Sequence, residues 1–451
     1  MKKFFSFFSY LFFLLIITTS VFASNTKINI WQEEVSITEV GRKGRVAFIL
    51  QFVNLPSNGY ISDYQLLTTS KTVIKYSKVL IDDKVANYTQ NNGLLKIKLN
   101  QPKRNQESIK ISYDYEEKYP SLQPELRNEI IYVPNFAVWA NYQVLLKFNQ
   151  NYELLNINSN SKKVYDDKGS ALLFQGTVPS SGVLEKIKLT SNDAKWQVKV
   201  LNIVNINNLK GMLNIKTPIL FRDSWQKVEK QELVASHNSI DKGFNDKSIF
   251  FKFNLNENDK KIIVKNIATI ATGKRNRINF VRNPLQYKEF SREEQLLVSQ
   301  LIAIAESEEK YKNLPLYAKL TMFVNDYIKY DYSYFKKNLP LKQIITNRAG
   351  VCIEYATLLN AMAKVAGIPA IIVNGLAIGE KDKFEPHSWN ALYVDNRWIF
   401  VDPTWGLNSG QVSSGHIYLN DDGFNDIELK FSSETDAKVS SDFEFEVHKI
   451  L

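Results

Sequence analysis

The stretch His387-Ser388-Trp389-Asn390-Ala391-Leu392-Tyr393-Val394-Asp395-Asn396-Arg397-Trp398-Ile399-Phe400-Val401-Asp402 reads as two β-strands joined by a tight turn. β-Branched and aromatic residues fill both arms, and Asp395-Asn396 suits a two-residue hairpin loop because both residues tolerate a positive φ. Such a loop fixes the register: Val394 faces Arg397, and Trp389 faces Asp402. His387 shares a face with Trp389, which puts His387 diagonally across from Asp402, about 7–8 Å between backbones and within side-chain reach. A three-residue loop would reverse the face and part the two.

Upstream of the hairpin the apolar period is helical. Ser291-Arg292-Glu293-Glu294 is a capping box, and Gln295 to Ala305 spaces its apolar residues along one helical face. A second helix is predicted from Pro315, a favoured first-turn residue, to about Ile328. A third begins near Val351 and stops at Gly367, where Gly followed by Ile368-Pro369 is a normal terminator. Strands follow at Ala370 to Val373, Trp389 to Val394 and Arg397 to Val401. Helices first and then a sheet define an α+β domain, expected over residues 286–451 with a C-terminal strand extension, because Phe443-Glu444-Phe445-Glu446-Val447 alternates as a strand.

From Asn25 to about Arg282 the pattern is different. Short alternating runs such as Val46 to Phe52, Leu95 to Leu99 and Ile249 to Phe253 are broken by Asn, Gly, Ser and Pro, as in antiparallel β-sandwiches. Breaks near Pro120–Pro124 and Ser191–Asp193 suggest β-rich modules over 24–192 and a β-sandwich-like module over 193–285. Ahead of them, Lys2 and Lys3 precede the apolar run Phe4 to Ile17, which ends in Val21-Phe22-Ala23. This reads as a signal peptide over 1–23, cleaved after Ala23. The competing reading is an uncleaved anchor, since Phe4 to Ala23 just reaches the roughly 20 residues of a spanning helix. With the leader removed, an exported protein, periplasmic or extracellular, with no stable transmembrane anchor is expected.

The 451 residues are 44% hydrophobic, 23% charged and 12% aromatic, the composition of folded globular domains. The net charge of +10 falls to +8 once Lys2 and Lys3 leave, with no acidic residue lost. These charges are scattered, and the one basic cluster, Lys274-Arg275-Asn276-Arg277, reads as a solvated turn, so nucleic acid is not an expected partner. The four histidines, His237, His387, His416 and His448, lie far apart with no HExxH or CxxC frame, so no metal or other cofactor is expected. Asn420 to Asp426 reads as an acidic turn, lacking the ligand pattern of a calcium loop.

Cys352 is the only cysteine, so the chain forms no internal disulfide. A lone thiol in an exported protein is a buried inert residue, an intermolecular bridge or a nucleophile. Its position at the start of the third helix, two residues after Gly350, favours the last. Backbone N–H groups and the positive helix end would stabilise a thiolate there and could bind a developing oxyanion. With His387 as base and Asp402 orienting it, the residue types required for acyl transfer are all present.

Five motifs in order carry a resemblance: Arg348-Ala349-Gly350-Val351-Cys352-Ile353-Glu354-Tyr355-Ala356; Ala366-Gly367-Ile368-Pro369-Ala370; His387-Ser388-Trp389-Asn390; Arg397-Trp398; and Val401-Asp402-Pro403-Thr404-Trp405-Gly406. Over about Tyr317 to Gly406 the chain resembles the transglutaminase-like superfamily, most closely its bacterial exported peptidase or amidase type. The resemblance implies a papain-like α+β fold and a Cys-His-Asp triad at Cys352, His387 and Asp402. Ile353 stands where animal-type transglutaminases carry Trp, and Thr346-Asn347 where papain carries its oxyanion Gln. Tyr330 or Tyr332 is therefore the candidate second oxyanion or site-lining residue. Trp389 reads as a core aromatic that would also shield a thiolate–imidazolium pair from water. The expected activity is hydrolysis of peptide or amide bonds in cell-envelope proteins or cell-wall peptides. The alternatives are transamidation of protein glutamine and a non-catalytic binding scaffold.

Overall fold

In the computed structural model, the described residues are 26–67, 73–91, 94–119, 125–133, 140–148, 151–157, 161–166, 169–191, 193–218, 220, 225–244, 248–256, 258–273, 290–337, 339–379, 383–420, 428–432 and 437–450. The leader, the break at Pro120–Pro124, the basic cluster at Lys274–Arg277 and the acidic turn from Asp421 onward lie outside them. No helix among the described residues is long and apolar enough to cross a membrane. Two compact units emerge: residues 1–122, 129–150 and 160–187, and residues 123–128, 151–159 and 188–451.

The first unit carries an eight-stranded sheet and a three-stranded sheet. Its strands alternate as their sequences predict: in Ser108–Lys118 every second side chain, Ile109, Ile111, Tyr113 and Tyr115, is buried. The pairing is not antiparallel throughout, however. Thr26–Thr38 runs parallel to Asn141–Phe148, with Ile30 opposite Asn141, because the strands between them in sequence complete their hairpins elsewhere before the chain returns.

The second unit begins with two four-stranded antiparallel sheets. One is ordered Gln226–Ala235, Lys261–Gly273, Asp193–Asn207, Lys438–Lys449, the other Asp241–Phe244, Ser248–Leu255, Gly211–Pro218, Glu428–Phe431. Val204, Ile206, Val264 and Ile262 of the first share one core with Leu213, Ile215, Phe251 and Phe253 of the second, a sandwich. The C-terminal strand does complete a sheet, but its partner is Asp193–Asn207, with Phe445 opposite Val200. The tail expected to extend the 286–451 domain therefore belongs to the sandwich of 193–285, and residues on both sides of the 285/286 boundary lie in one compact unit.

Among its described residues the unit also contains four α-helices and a third four-stranded antiparallel sheet. Helix α1 (Arg292–Ser307) opens on the expected capping box: Ser291 Oγ accepts from the Glu294 N–H at 3.2 Å, and the Glu294 carboxylate accepts from the Ser291 N–H at 2.9 Å. Helix α2 (Leu316–Tyr327) follows Pro315, which occupies the N-cap position. A short α3 (Leu341–Asn347), not predicted, ends in Arg348 at φ 50°. Helix α4 (Cys352–Val365) stops where Gly367 turns to φ 80° and the Ile368 N–H reaches back to the Ala363 carbonyl at 2.8 Å.

The helices pack on one face of the sheet ordered Arg397–Val401, Phe384–Val394, Ala370–Ile378, His416–Asn420. Leu320, Val324, Leu358, Leu359 and Met362 meet Ala370, Leu392, Ile399 and Val401 in one core. The opposite face is equally dry. Leu376, Ile417 and Leu419 pack against Trp196, Val198 and Ile270, while Trp389, Phe400 and Tyr418 pack against Trp225 and Leu155. A sheet buried on both faces cannot part from the sandwich without exposing these side chains to water.

Candidate active site

Cys352 is the first residue of α4 and is half-buried. The helix start is shaped by Glu354, whose buried carboxylate accepts the Val351 N–H at 2.8 Å. Gly350 makes room for it, since a Cβ there would stand 2.4 Å from Glu354 Cβ. Gly350 also pairs with Tyr330 in a short parallel bridge, and the Asp331 N–H donates to the Gly350 carbonyl at 2.9 Å. Asn390 fastens the helix to the sheet through its Nδ2–H and the Ala356 carbonyl, 3.0 Å apart.

The hairpin has the expected register. Val394 faces Arg397 and Asn390 faces Val401, with Asp395 at φ 50° and Asn396 at φ 59° as a primed turn requires. His387 and Asp402 consequently meet, with Nε2 of the imidazole 2.9 Å from Oδ2 of the carboxylate. The Cys352 thiol also acts on the His387 ring and favours its charged form. Since Nε2 is engaged by Asp402, Nδ1 is the ring nitrogen left for the thiol.

Asp402 is fully buried and accepts four hydrogen bonds. Oδ1 takes the N–H groups of Thr404 at 2.9 Å and Trp405 at 3.4 Å; Oδ2 takes His387 and also Nε2 of His416, at 3.3 Å. Burial opposes its ionisation, but the two imidazoles prevail and hold the carboxyl well below the usual carboxylate range. Burial likewise disfavours a charged His387; the Asp402 carboxylate outweighs it, and the imidazole pKa is pushed up to about 10. A raised folded-state pKa stabilises the fold fully below the unfolded value and loses that contribution as pH rises through the folded one. The stability difference between the native chain and His387→Gln is therefore expected to be largest below about pH 6.5, the unperturbed value, and to shrink steadily toward pH 10. Urea unfolding at pH 6 and pH 10 checks this; an unchanged difference contradicts it.

Distance along the chain hid His416. It sits on the sheet's edge strand, fully buried, its ring 5.6 Å from that of His387. His387, Asp402 and His416 are the one set of potential metal-ligand side chains grouped together among the described residues, with ligand atoms within 4.8 Å of one another. Both imidazole Nε2 atoms already bond the same carboxylate oxygen, so the set is internally satisfied as hydrogen-bonded side chains.

Aromatic rings close the site. Trp405 lies flat on His387, centroids 4.2 Å apart and planes 8° apart, a contact the sequence reading did not assign. Trp389 is fully buried 6.1 Å away on a nearly parallel plane. The Pro403–Thr404 turn is held by Asn325 of α2, whose Nδ2 donates to both carbonyls at 2.8 and 3.0 Å. Of the two tyrosine candidates, Tyr330 pairs with Gly350, two residues before Cys352, and is 51% exposed. Burial, with Cys352 and Glu385 nearby, pushes its phenol up to about 12. Tyr332 points into solvent, 66% exposed and stacked on Phe335 at 5.1 Å.

Residues 305–403 match the family model of the transglutaminase-like superfamily. The curated relatives include the kyphoscoliosis peptidases of Mus musculus and Homo sapiens, each 28% identical over 130 residues. That alignment takes in 26% of this chain and 18% of either relative, so the chain spans under a fifth of their length. Among solved structures, a presumed cysteine protease from Cytophaga hutchinsonii matches with 15% identity and a TM-score of 0.39, covering 58% of this chain and 92% of that one.

Proposed function

We propose that the protein is an exported cysteine hydrolase in which Cys352, His387 and Asp402 form a catalytic triad on a papain-like α+β domain, cleaving peptide or amide bonds in cell-envelope proteins or cell-wall peptides. The observation that carries this reading is a single imidazole hydrogen-bonded to a buried carboxylate, with the one thiol of the chain at the start of α4 acting on the same ring. The peptidase name of the curated relatives agrees with it.

In the reaction, the Cys352 thiolate attacks the substrate carbonyl carbon, forming an S–C bond. The backbone N–H groups at the start of α4 stabilise the oxyanion, with the Tyr330 hydroxyl as a second donor. The His387 imidazolium then protonates the departing amine as the C–N bond breaks, leaving an acyl-thioenzyme. Water, deprotonated by His387, hydrolyses the thioester and restores the thiol. Trp405 and Trp389 exclude bulk water from the pair.

The test is the rate of Cys352 alkylation by iodoacetamide near neutral pH. Reaction much faster than that of a free thiol, with the excess abolished in His387→Ala, is expected. If the native chain reacts no faster than a free thiol and His387→Ala changes nothing, the reading fails. Ammonia release dependent on an added amine acceptor, in place of hydrolysis, would reassign the reaction to transamidation.

A further inference from the structure

We infer that His416 is a positioning residue for the proposed triad, acting on His387 through Asp402. This rests on the triad reading above. A carboxylate is acceptor-only, so the His416 nitrogen facing Asp402 Oδ2, Nε2, must carry a proton. Its other nitrogen, Nδ1, lies 2.7 Å from Ser413 Oγ in a fully buried contact. For a neutral ring, Nδ1 is then the acceptor and the Ser413 hydroxyl the donor.

Neutrality is what the surroundings favour. The titratable groups acting on His416 are Asp402 and His387; those acting on His387 are Asp402 and Cys352. Burial lowers the His416 pKa, and the neighbouring His387 adds to the lowering. A neutral donor leaves the carboxylate's charge to His387, and it also fills the remaining Oδ2 direction, so the carboxylate cannot rotate away. The four donors around Asp402 thus divide the work: two backbone N–H groups set its position along the turn, and His416 fixes the rotation that presents Oδ2 to His387.

The position of His416 is itself fixed from the sandwich. Trp225 Nε1 donates to the His416 carbonyl at 3.4 Å, and the Gln226 side chain pairs with the backbone of Tyr418 in both directions at 2.8 Å. Edge-on contacts with Trp389 and Trp405, at 5.0 and 5.1 Å, hold the ring plane.

The experiment follows the His387 imidazole by NMR titration of histidine-labelled full-length protein in a Cys352→Ala background, so that the thiol does not enter. His416→Phe retains a ring and removes the donor; His416→Gln restores an N–H near Nε2. The His387 midpoint is expected to fall by about one pH unit in His416→Phe, a tenfold change in its proton affinity, and to return toward the parent value in His416→Gln. Ser413→Ala, which frees the His416 tautomer, is expected to shift it in the same direction by less, and it carries the test if His416→Phe does not fold. An unchanged midpoint in His416→Phe or, should that variant not fold, in Ser413→Ala overturns the inference, as does an equal fall in His416→Gln. Slow alkylation of native Cys352 would sink the catalytic reading while leaving this titration to decide the role of His416.

Discussion

Asp402→Asn is expected to lower hydrolysis of an unfolded protein substrate such as reduced casein by about 10⁴-fold, the size of loss seen when an orienting carboxylate is neutralised in a triad. The substitution keeps the shape of the side chain and removes its charge. Two imidazole N–H donors and two backbone N–H groups converge on this carboxylate, and it has no exposure through which water could replace it. An amide supplies one acceptor oxygen in place of two, and its NH₂ would face donors. His387 then either turns its ring or takes the opposite tautomer, and both outcomes withdraw the nitrogen meant for Cys352. Retention of more than about a tenth of native activity, against the losses known for such residues, would show that Asp402 has no such role.

The largest effect on stability is expected at Gly375. Its strand, Ala370–Ile378, pairs with His416–Asn420, and a Cβ at this position would stand 2.0 Å from the Ile417 carbonyl oxygen and 2.6 Å from the Trp389 ring. Backbone on one side and a fully buried indole on the other leave nothing that can yield. Gly375→Ala must therefore push the two strands apart, at a cost of about 4 kcal/mol or more, at the upper end of point-substitution effects. Gly367→Ala is the control: its Cβ would meet nothing within 4 Å, so only the φ of 80° opposes it, at about 1–2 kcal/mol. Urea midpoints for the two variants that are equal, or reversed in order, would refute the packing argument.

What was legible in the sequence follows from how local each cause is. Asp395-Asn396 dictates a turn of two residues, and that turn alone carries His387 to Asp402. Ser291 with Glu294, and Gly367 before Ile368-Pro369, likewise mark helix ends through contacts a few residues long. Cys352 was legible by its solitude and its place after Gly350. His416 was not, because its contact with Asp402 spans a strand addition that no spacing announces. Asn325 resembles any polar helix residue until the Pro403–Thr404 carbonyls lie beneath it. Trp405 stood within a recognised motif, yet whether its ring covers His387 or the core depends on the path of the chain after Asp402. The parallel pairing of Thr26–Thr38 and the return of Lys438–Lys449 to the sandwich were hidden for the same reason, since strand sequences encode faces more clearly than partners.

The edge strand His416–Asn420 lies thirteen residues beyond the end of the 305–403 profile match and is gripped by Trp225 and Gln226, some eighty residues before its start. A fragment trimmed to the recognisable core would leave Ala370–Ile378 with a bare edge and Asp402 one donor short. The smallest autonomous unit is therefore expected to be larger than residues 305–403. In this chain the sandwich is a splint for the sheet that carries His387, and swapping it for another module is expected to disturb the proposed chemistry.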